Sequence, residues 1–150
     1  MPRLLASWFG TGLILRRARG SDPGSGTVAS LLTYPVAVVV GETWGWPAQV
    51  ILLLVTIAAG LWALRSLSAD GDAAWIVADE AAGTMAATIG LGWGPGLVAV
   101  IVFRIADIVK RPFPGVSQAE RLPGPAGVMA DDLVAGLYGL VAGHLVNALI

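Results

Sequence analysis

Met129-Ala130-Asp131-Asp132-Leu133-Val134-Ala135-Gly136 sets two adjacent carboxylates near the head of an apolar run that continues to Ile150. Charge inside such a run is expensive, so it marks a membrane helix with chemistry attached to it. The composition agrees. The 150-residue chain is 56% hydrophobic and only 13% charged, and its mean hydropathy is +0.77. That is too apolar for a soluble domain of this size. The length accommodates one membrane-embedded domain of about four or five spans of roughly 20 residues each, without room for a second, soluble domain.

Outward from this segment, apolar stretches fall at Leu4 to Leu15, Thr27 to Val40, Trp46 to Leu64, Ala74 to Leu91, Gly96 to Val109 and Gly127 to Ile150. The first is short for a span and predicts an interfacial or re-entrant helix; Thr27 to Val40 gains length by taking in Glu42 to Trp44. The expected fold is therefore all-α, a polytopic membrane bundle of about five transmembrane helices plus the short N-terminal helix. Glycine is abundant (20 residues), and Gly60, Gly83, Gly136, Gly139 and Gly143, with Ala58, Ala59, Ala86 and Ala87, allow close helix approach. Such packing permits a homodimer without demanding one. Trp44, Trp46, Trp75 and Trp93 stand near span ends, as interfacial belts do.

Charge distribution gives orientation. Arg16, Arg17, Arg19, Arg65, Lys110, Arg111 and Arg121 fall in alternate connections, and the loops near Gly41 to Gly45 and Gly92 to Gly96 carry no Lys or Arg. The positive-inside rule places the basic connections and the N-terminus in the cytoplasm and the C-terminus outside. Pro2 to Leu15 lacks a signal-peptide cleavage site and runs into the basic cluster. A net charge of -1 with no basic patch excludes a nucleic-acid surface, and the absence of cysteine removes disulfides, thiolate metal sites and cysteine nucleophiles.

On this topology Asp79 and Glu80 lie early in the third span, Arg104 and Asp107 late in the fourth, and Asp131 and Asp132 early in the fifth. All six fall towards the cytoplasmic side, so carboxylates from three helices converge at one depth. Crowded in low dielectric they repel unless a cation neutralises them. An oxygen-only donor set favours a hard ion such as Mg²⁺ over Zn²⁺; the lone His144, towards the opposite face, reads as a packed or boundary residue. Arg104, Asp107, Lys110 and Arg111 share much of one helical face before Pro112 and Pro114 end the helix. Lys110 and Arg111 taken alone read as a snorkelling helix end, whereas Arg104 and Asp107 offer a phosphate clamp and a carboxylate within one turn. Ser25-Gly26-Thr27-Val28-Ala29-Ser30-Leu31 supplies small and hydroxyl residues at a helix start, which suits either a simple cap or an anion cradle.

In this order the pieces resemble the phosphatidylglycerophosphatase A family of bacterial membrane enzymes. The family pattern looks like Gly-Thr-x-Gly-Ser-Leu, Asp-Glu-x-x-Gly, Phe-Arg-x-x-Asp-x-x-Lys-Pro-x-Pro and Gly-x-Met-x-Asp-Asp-x-x-Ala-Gly. Here the positions read Gly26-Thr27-Val28-Ala29-Ser30-Leu31, Asp79-Glu80-Ala81-Ala82-Gly83, Phe103-Arg104-Ile105-Ala106-Asp107-Ile108-Val109-Lys110 and Gly127 to Gly136. Leu4 to Leu13 is similar to the family's opening segment. The chain departs in three places: Ala29 replaces the second glycine, Arg111 is inserted before Pro112, and the connection from Ile14 to Ser25 is long.

The resemblance implies Mg²⁺-dependent hydrolysis of phosphatidylglycerophosphate to phosphatidylglycerol in the bacterial inner membrane, with the site facing the cytoplasm. It implies catalytic roles for Asp79, Glu80, Arg104, Asp107, Asp131 and Asp132. Asp79, Glu80, Asp131 and Asp132 would serve the metal directly or through water, because neighbouring acids on a helix diverge. Arg104 and Lys110 would bind phosphate oxygens, Thr27 and Ser30 would hold the phosphate, and Asp107 would orient Arg104 or act as a general base. Rival chemistries fit less well. There is no histidine pair for a phosphohistidine route. Asp70-Gly71-Asp72 lacks the strand context of an aspartyl phosphatase, and Trp75 stands where a CDP-alcohol phosphotransferase carries arginine. A small transporter or channel subunit remains the alternative from another class, but transport requires polar groups through the midplane or on both sides.

Overall fold

The computed structural model describes residues 1–13, 24–67 and 76–150. Among them are seven α-helices and no strand: α1 (Pro2–Ala6), α2 (Ser25–Trp44), α3 (Trp46–Ser66), α4 (Ala78–Ala87), α5 (Trp93–Val109), α6 (Val116–Glu120) and α7 (Pro125–Leu149), with a 3₁₀ turn at Thr11–Leu13. Local sequence sets the boundaries. Gly24, Gly45 and Gly124 take positive φ before α2, α3 and α7, and prolines occupy the first turns of α3 and α7, where no intrahelical N–H is needed. The expectation that Glu42 to Trp44 extends the first span holds, since α2 ends at Trp44.

Three helices, α2, α3 and α7, are long and apolar enough to cross a membrane. At 17 residues α5 measures about 25 Å, and the ten residues of α4 about 15 Å, half a bilayer core. The predicted third span, Ala74 to Leu91, is thus a short helix followed by a turn, with Ala74 and Trp75 outside the described residues. The N-terminal patch forms only one short helix and a 3₁₀ turn, too short to span; Val77 N–H donates to Ala6 O at 2.9 Å and ties α1 to the entry of α4. Arg16, Arg17, Arg19 and Asp70-Gly71-Asp72 also lie outside the described residues.

The bundle is built inside-out relative to a soluble protein. The buried face of α2 consists of Ser25, Gly26, Ala29, Ser30, Thr33, Tyr34, Ala37 and Val38, while Leu31, Leu32, Val36 and Val39 are exposed. Small residues inside and large aliphatics outside are what lipid-facing helices require. The central helix is α7, packed chiefly against α5 and α4. A Cβ on Gly136 would stand 2.7 Å from Gly83 O, and one on Gly83 would meet the Phe103 ring and Asp132 O, so α4 and α7 cross at backbone contact. Phe103, Ala87, Ala99, Ala106 and Ala135 fill the space behind this crossing. Close approach at that point brings the acids of α4 and α7 together.

Candidate active site

The starts of α2, α4 and α7 and the end of α5 meet at one end of the bundle. Asp79 and Glu80 occupy the first turn of α4, Asp107 lies in the last turn of α5, and Asp131 and Asp132 lie about two turns into α7. Carboxylate oxygens of Asp79, Glu80 and Asp132 lie within 4.8 Å of one another, as do those of Asp107, Asp131 and Asp132. Asp132 belongs to both groups. The predicted convergence of acids from three helices is therefore present, with Asp107 drawn in beside the four that the sequence singled out for metal. Contrary to the divergence expected of helix neighbours, Asp79 and Glu80 share one group and Asp131 and Asp132 share the other.

Five carboxylates here face two bases, Arg104 and Lys110. Arg104 Nη1 pairs with Asp107 Oδ2 at 2.7 Å, and Nη2 donates to Thr27 Oγ1 at 3.4 Å. Lys110 Nζ donates to Asp131 Oδ2 and Glu120 Oε1, both at 2.7 Å. Burial opposes the Lys110 charge, but hydrogen bonding and attraction from Asp131 and Glu120 outweigh it and hold the ammonium above its ordinary pKa. Lys110 also sits at φ 51°, a strained backbone for a non-glycine residue, immediately before the proline turn. Phe113 N–H closes that turn on Lys110 O at 2.9 Å. The extra Arg111 is taken up in the turn with its side chain exposed, so it leaves Asp107 and Lys110 in place.

Among the described residues Asp79, Glu80 and Asp132 have no salt bridge. Asp132 is 3% exposed, and Asp132 Oδ2, Asp79 Oδ1 and Glu80 Oε2 are buried without a hydrogen-bond partner, as is Arg104 Nε. Buried polar atoms are almost always paired, and an unpaired buried carboxylate is among the costliest exceptions. Orphaned oxygens from two helices, in an oxygen-only donor set, fit a hard divalent cation of the Mg²⁺ type. Glu80 gains further support from the start of α2: a side-chain carbon on Gly26 would overlap its carboxylate, so glycine there lets the acid approach the positive end of the helix dipole.

The chain matches the family model described as Phosphatidylglycerophosphatase A over residues 4–147. It is 33% identical over 144 residues, 92% of this chain and 83% of the relative, to a Haemophilus influenzae protein named Phosphatidylglycerophosphatase A. The chain belongs to the phosphatidylglycerophosphatase A family. Membership makes it a phosphatase, as the resemblance implied. A Bacteroides thetaiotaomicron protein named "Putative phosphatidylinositol-3-phosphatase" is 29% identical over 94% of this chain and 90% of its own length. No solved structure matches.

Within this family member the two hydroxyl residues part company. Thr27 faces Arg104, whereas the buried Ser30 donates its hydroxyl to Gly26 O at 2.9 Å within its own helix. His144 lies at the opposite end, with Nε2 3.0 Å from Ile89 O, in keeping with a boundary residue. Glu120 was not singled out from sequence; its signal, an acid ten residues beyond Lys110 across a proline turn, has no helical periodicity to reveal it.

Proposed function

We propose that this chain hydrolyses the terminal phosphomonoester of phosphatidylglycerophosphate to phosphatidylglycerol and inorganic phosphate, with Mg²⁺ as cofactor, at the cytoplasmic face of the bacterial inner membrane. We also keep the five-span topology as part of this reading, with α4 and α5 as the two shorter crossings. Family membership and the name of the Haemophilus relative support the substrate. The observation that carries the site is the set of three orphaned carboxylate oxygens on Asp79, Glu80 and Asp132 beside Arg104.

Asp79, Glu80 and Asp132 would hold the cation, with Asp131 or Asp107 completing the set. A bound Mg²⁺ supplies neutralisation of the crowded acids and withdraws charge from a phosphoryl oxygen. The unpartnered Arg104 Nε donates to the phosphate, and a guanidinium fixed in advance loses little on meeting transition-state charge. The 2.7 Å pair with Arg104 supports an orienting role for Asp107. Lys110, kept protonated by Asp131 and Glu120, adds a second positive charge at the helix end. Thr27 Oγ1 stands next to the guanidinium and offers a hydroxyl to the same phosphate. Direct attack by water on phosphorus, with its proton taken by the carboxylate cluster and delivered to the glycerol oxygen as the P–O bond to it breaks, is the simplest reaction these groups serve.

Purified protein in detergent should release phosphate from phosphatidylglycerophosphate with Mg²⁺. Release should be lost with EDTA and in Asp131→Asn and Arg104→Ala. Folded protein that releases phosphate neither from this lipid nor from phosphatidylinositol 3-phosphate would overturn the hydrolase reading. Ion flux in liposomes would then test the transporter alternative, against which the gathering of unsatisfied acids at one end already speaks.

A further inference from the structure

Two apolar grooves run along the outside of the bundle, on opposite sides of α5. The larger, about 510 Å³, lies against α7 and is lined by Val102, Val134, Leu137, Val141 and Leu145. Its polar atoms are spent, since Tyr138 Oη donates to Pro114 O at 2.7 Å. The smaller, about 330 Å³, lies between α2 and α5. Leu31, Leu97, Val100 and Ile101 form part of its wall, and the apolar lining is interrupted by Thr27, Ser30 and Arg104, the Ser30 hydroxyl being spent on Gly26 O. Arg104 therefore forms a wall common to two compartments. One guanidinium nitrogen points at Asp107 and the carboxylate cluster, the other at Thr27 on the groove side.

We infer that the α2–α5 groove holds one acyl chain of the lipid substrate, the lipid entering sideways from the bilayer with its phosphates at Arg104. The inference rests on the lipid-phosphatase reading and adds the lipid's route and seat. Three features select this groove over the larger one. It is continuous with the carboxylate site, through a residue that both share. Its lining includes one charged side chain, Arg104, with Thr27 beside it, complementary to a phosphate, whereas no charged residue lines the α5–α7 groove. Its direction also fits: the lining extends from Ile105, Ile108 and Val109 at the bundle end past Arg104 to Leu97, seven residues or about 10 Å of helix further in, the course of a chain descending from a headgroup. A lipid so seated brings its terminal phosphate to Arg104 and Thr27, beside the acids, and leaves its chain in the groove. Binding energy from the remote chain then positions the reacting end.

A phosphatidylglycerophosphate carrying a diazirine midway along one acyl chain tests this on the wild-type protein, irradiated in phosphatidylcholine nanodiscs with EDTA so that no turnover is needed. Labelled peptides are mapped by mass spectrometry. Label concentrated on α2 and the Leu97 to Ile101 part of α5, and competed by the unlabelled lipid, supports the groove. Label on the outer face of α7, or spread evenly as from bulk lipid, overturns it. A second arm uses Ile101→Trp, which fills the groove from an exposed position. The ratio of kcat/KM on the lipid to that on its deacylated, water-soluble headgroup should fall about tenfold, chiefly through KM. An unchanged ratio overturns the proposal. Hydrolysis with label elsewhere removes the groove and leaves the function standing. Label in the groove without hydrolysis of any lipid phosphate removes the function and leaves a lipid site.

Discussion

The two ends of the bundle treat buried polar groups in opposite ways. At the end formed by Trp44, Trp46, Gly90 and Trp93, the buried Gln49 amide is fully engaged: Nε2 donates to Ala37 O at 2.9 Å and Thr88 O at 3.2 Å, and Oε1 accepts Gly90 N–H at 2.8 Å. Trp93 Nε1–H donates to Glu42 Oε2, and Tyr34 Oη–H to Trp93 O. One side chain thus pins α3 to α2 and to the turn between α4 and α5. At the other end Asp79, Glu80 and Asp132 each keep a buried oxygen without a partner. A satisfied network rigidifies, while an unsatisfied one of like charges lowers stability until a ligand arrives. The Gln49 end has its polar groups paired, and the carboxylate end leaves charge uncompensated.

The widest separation of the two ends should come from Asp132→Asn. Mg²⁺-dependent phosphate release should fall on the order of a thousandfold, about 4 kcal/mol of barrier, while thermal stability in EDTA holds or rises because a buried unpaired charge is gone. In the same experiment Mg²⁺ at about a hundred times its Kd should stabilise the wild type by about 2.7 kcal/mol and the variant hardly at all. A variant that loses stability in EDTA instead would mean that the acids are structural. Gln49→Leu should do the reverse. It removes three hydrogen bonds and strands the Gly90 N–H, costing about 1–3 kcal/mol in denaturation, with activity per folded molecule near wild type. A large activity loss without destabilisation would erase the contrast.

Gly83→Ala probes the crossing between the two ends. Its Cβ would press on Phe103 and Asp132 O, so about 1–3 kcal/mol of stability should go together with a fall in kcat as Asp132 is displaced. The smallest effect should be Glu120→Gln. Its side chain is 55% exposed, so the pair with Lys110 is worth less than about 1 kcal/mol and activity should stay within about twofold. A larger loss would make Glu120 a partner in setting Lys110.

Much of this organisation was legible in the chain. The paired acids in a glycine frame, the order of the motifs and the small-residue stripes indicated an all-helical membrane protein and its family. They also picked out Asp79, Glu80, Arg104, Asp107, Asp131 and Asp132 as one constellation. What stayed hidden were pairings across large sequence distances. Gln49 reaches residues 12 and 39 positions away, and nothing in the run from Trp46 to Leu64 marks it as more than a polar residue near a helix start. The Lys110–Glu120 and Lys110–Asp131 contacts depend on how the proline turn folds α6 back, which periodicity cannot express.

The sequence by itself determined which residues are apolar, which are small and where charge interrupts them, because the free energy of placing each side chain in lipid or in close helix contact is a local property. Only the tertiary structure decided which acids cluster, that α4 is a half-length helix, that Ser30 turns inward while Thr27 meets Arg104, and that Arg104 lines a groove as well as the site. Those outcomes depend on the rotation and crossing point of each helix. Gly83 and Gly136 fix these at backbone contact and Gly26 at the Glu80 carboxylate, a relation between segments that no single segment encodes.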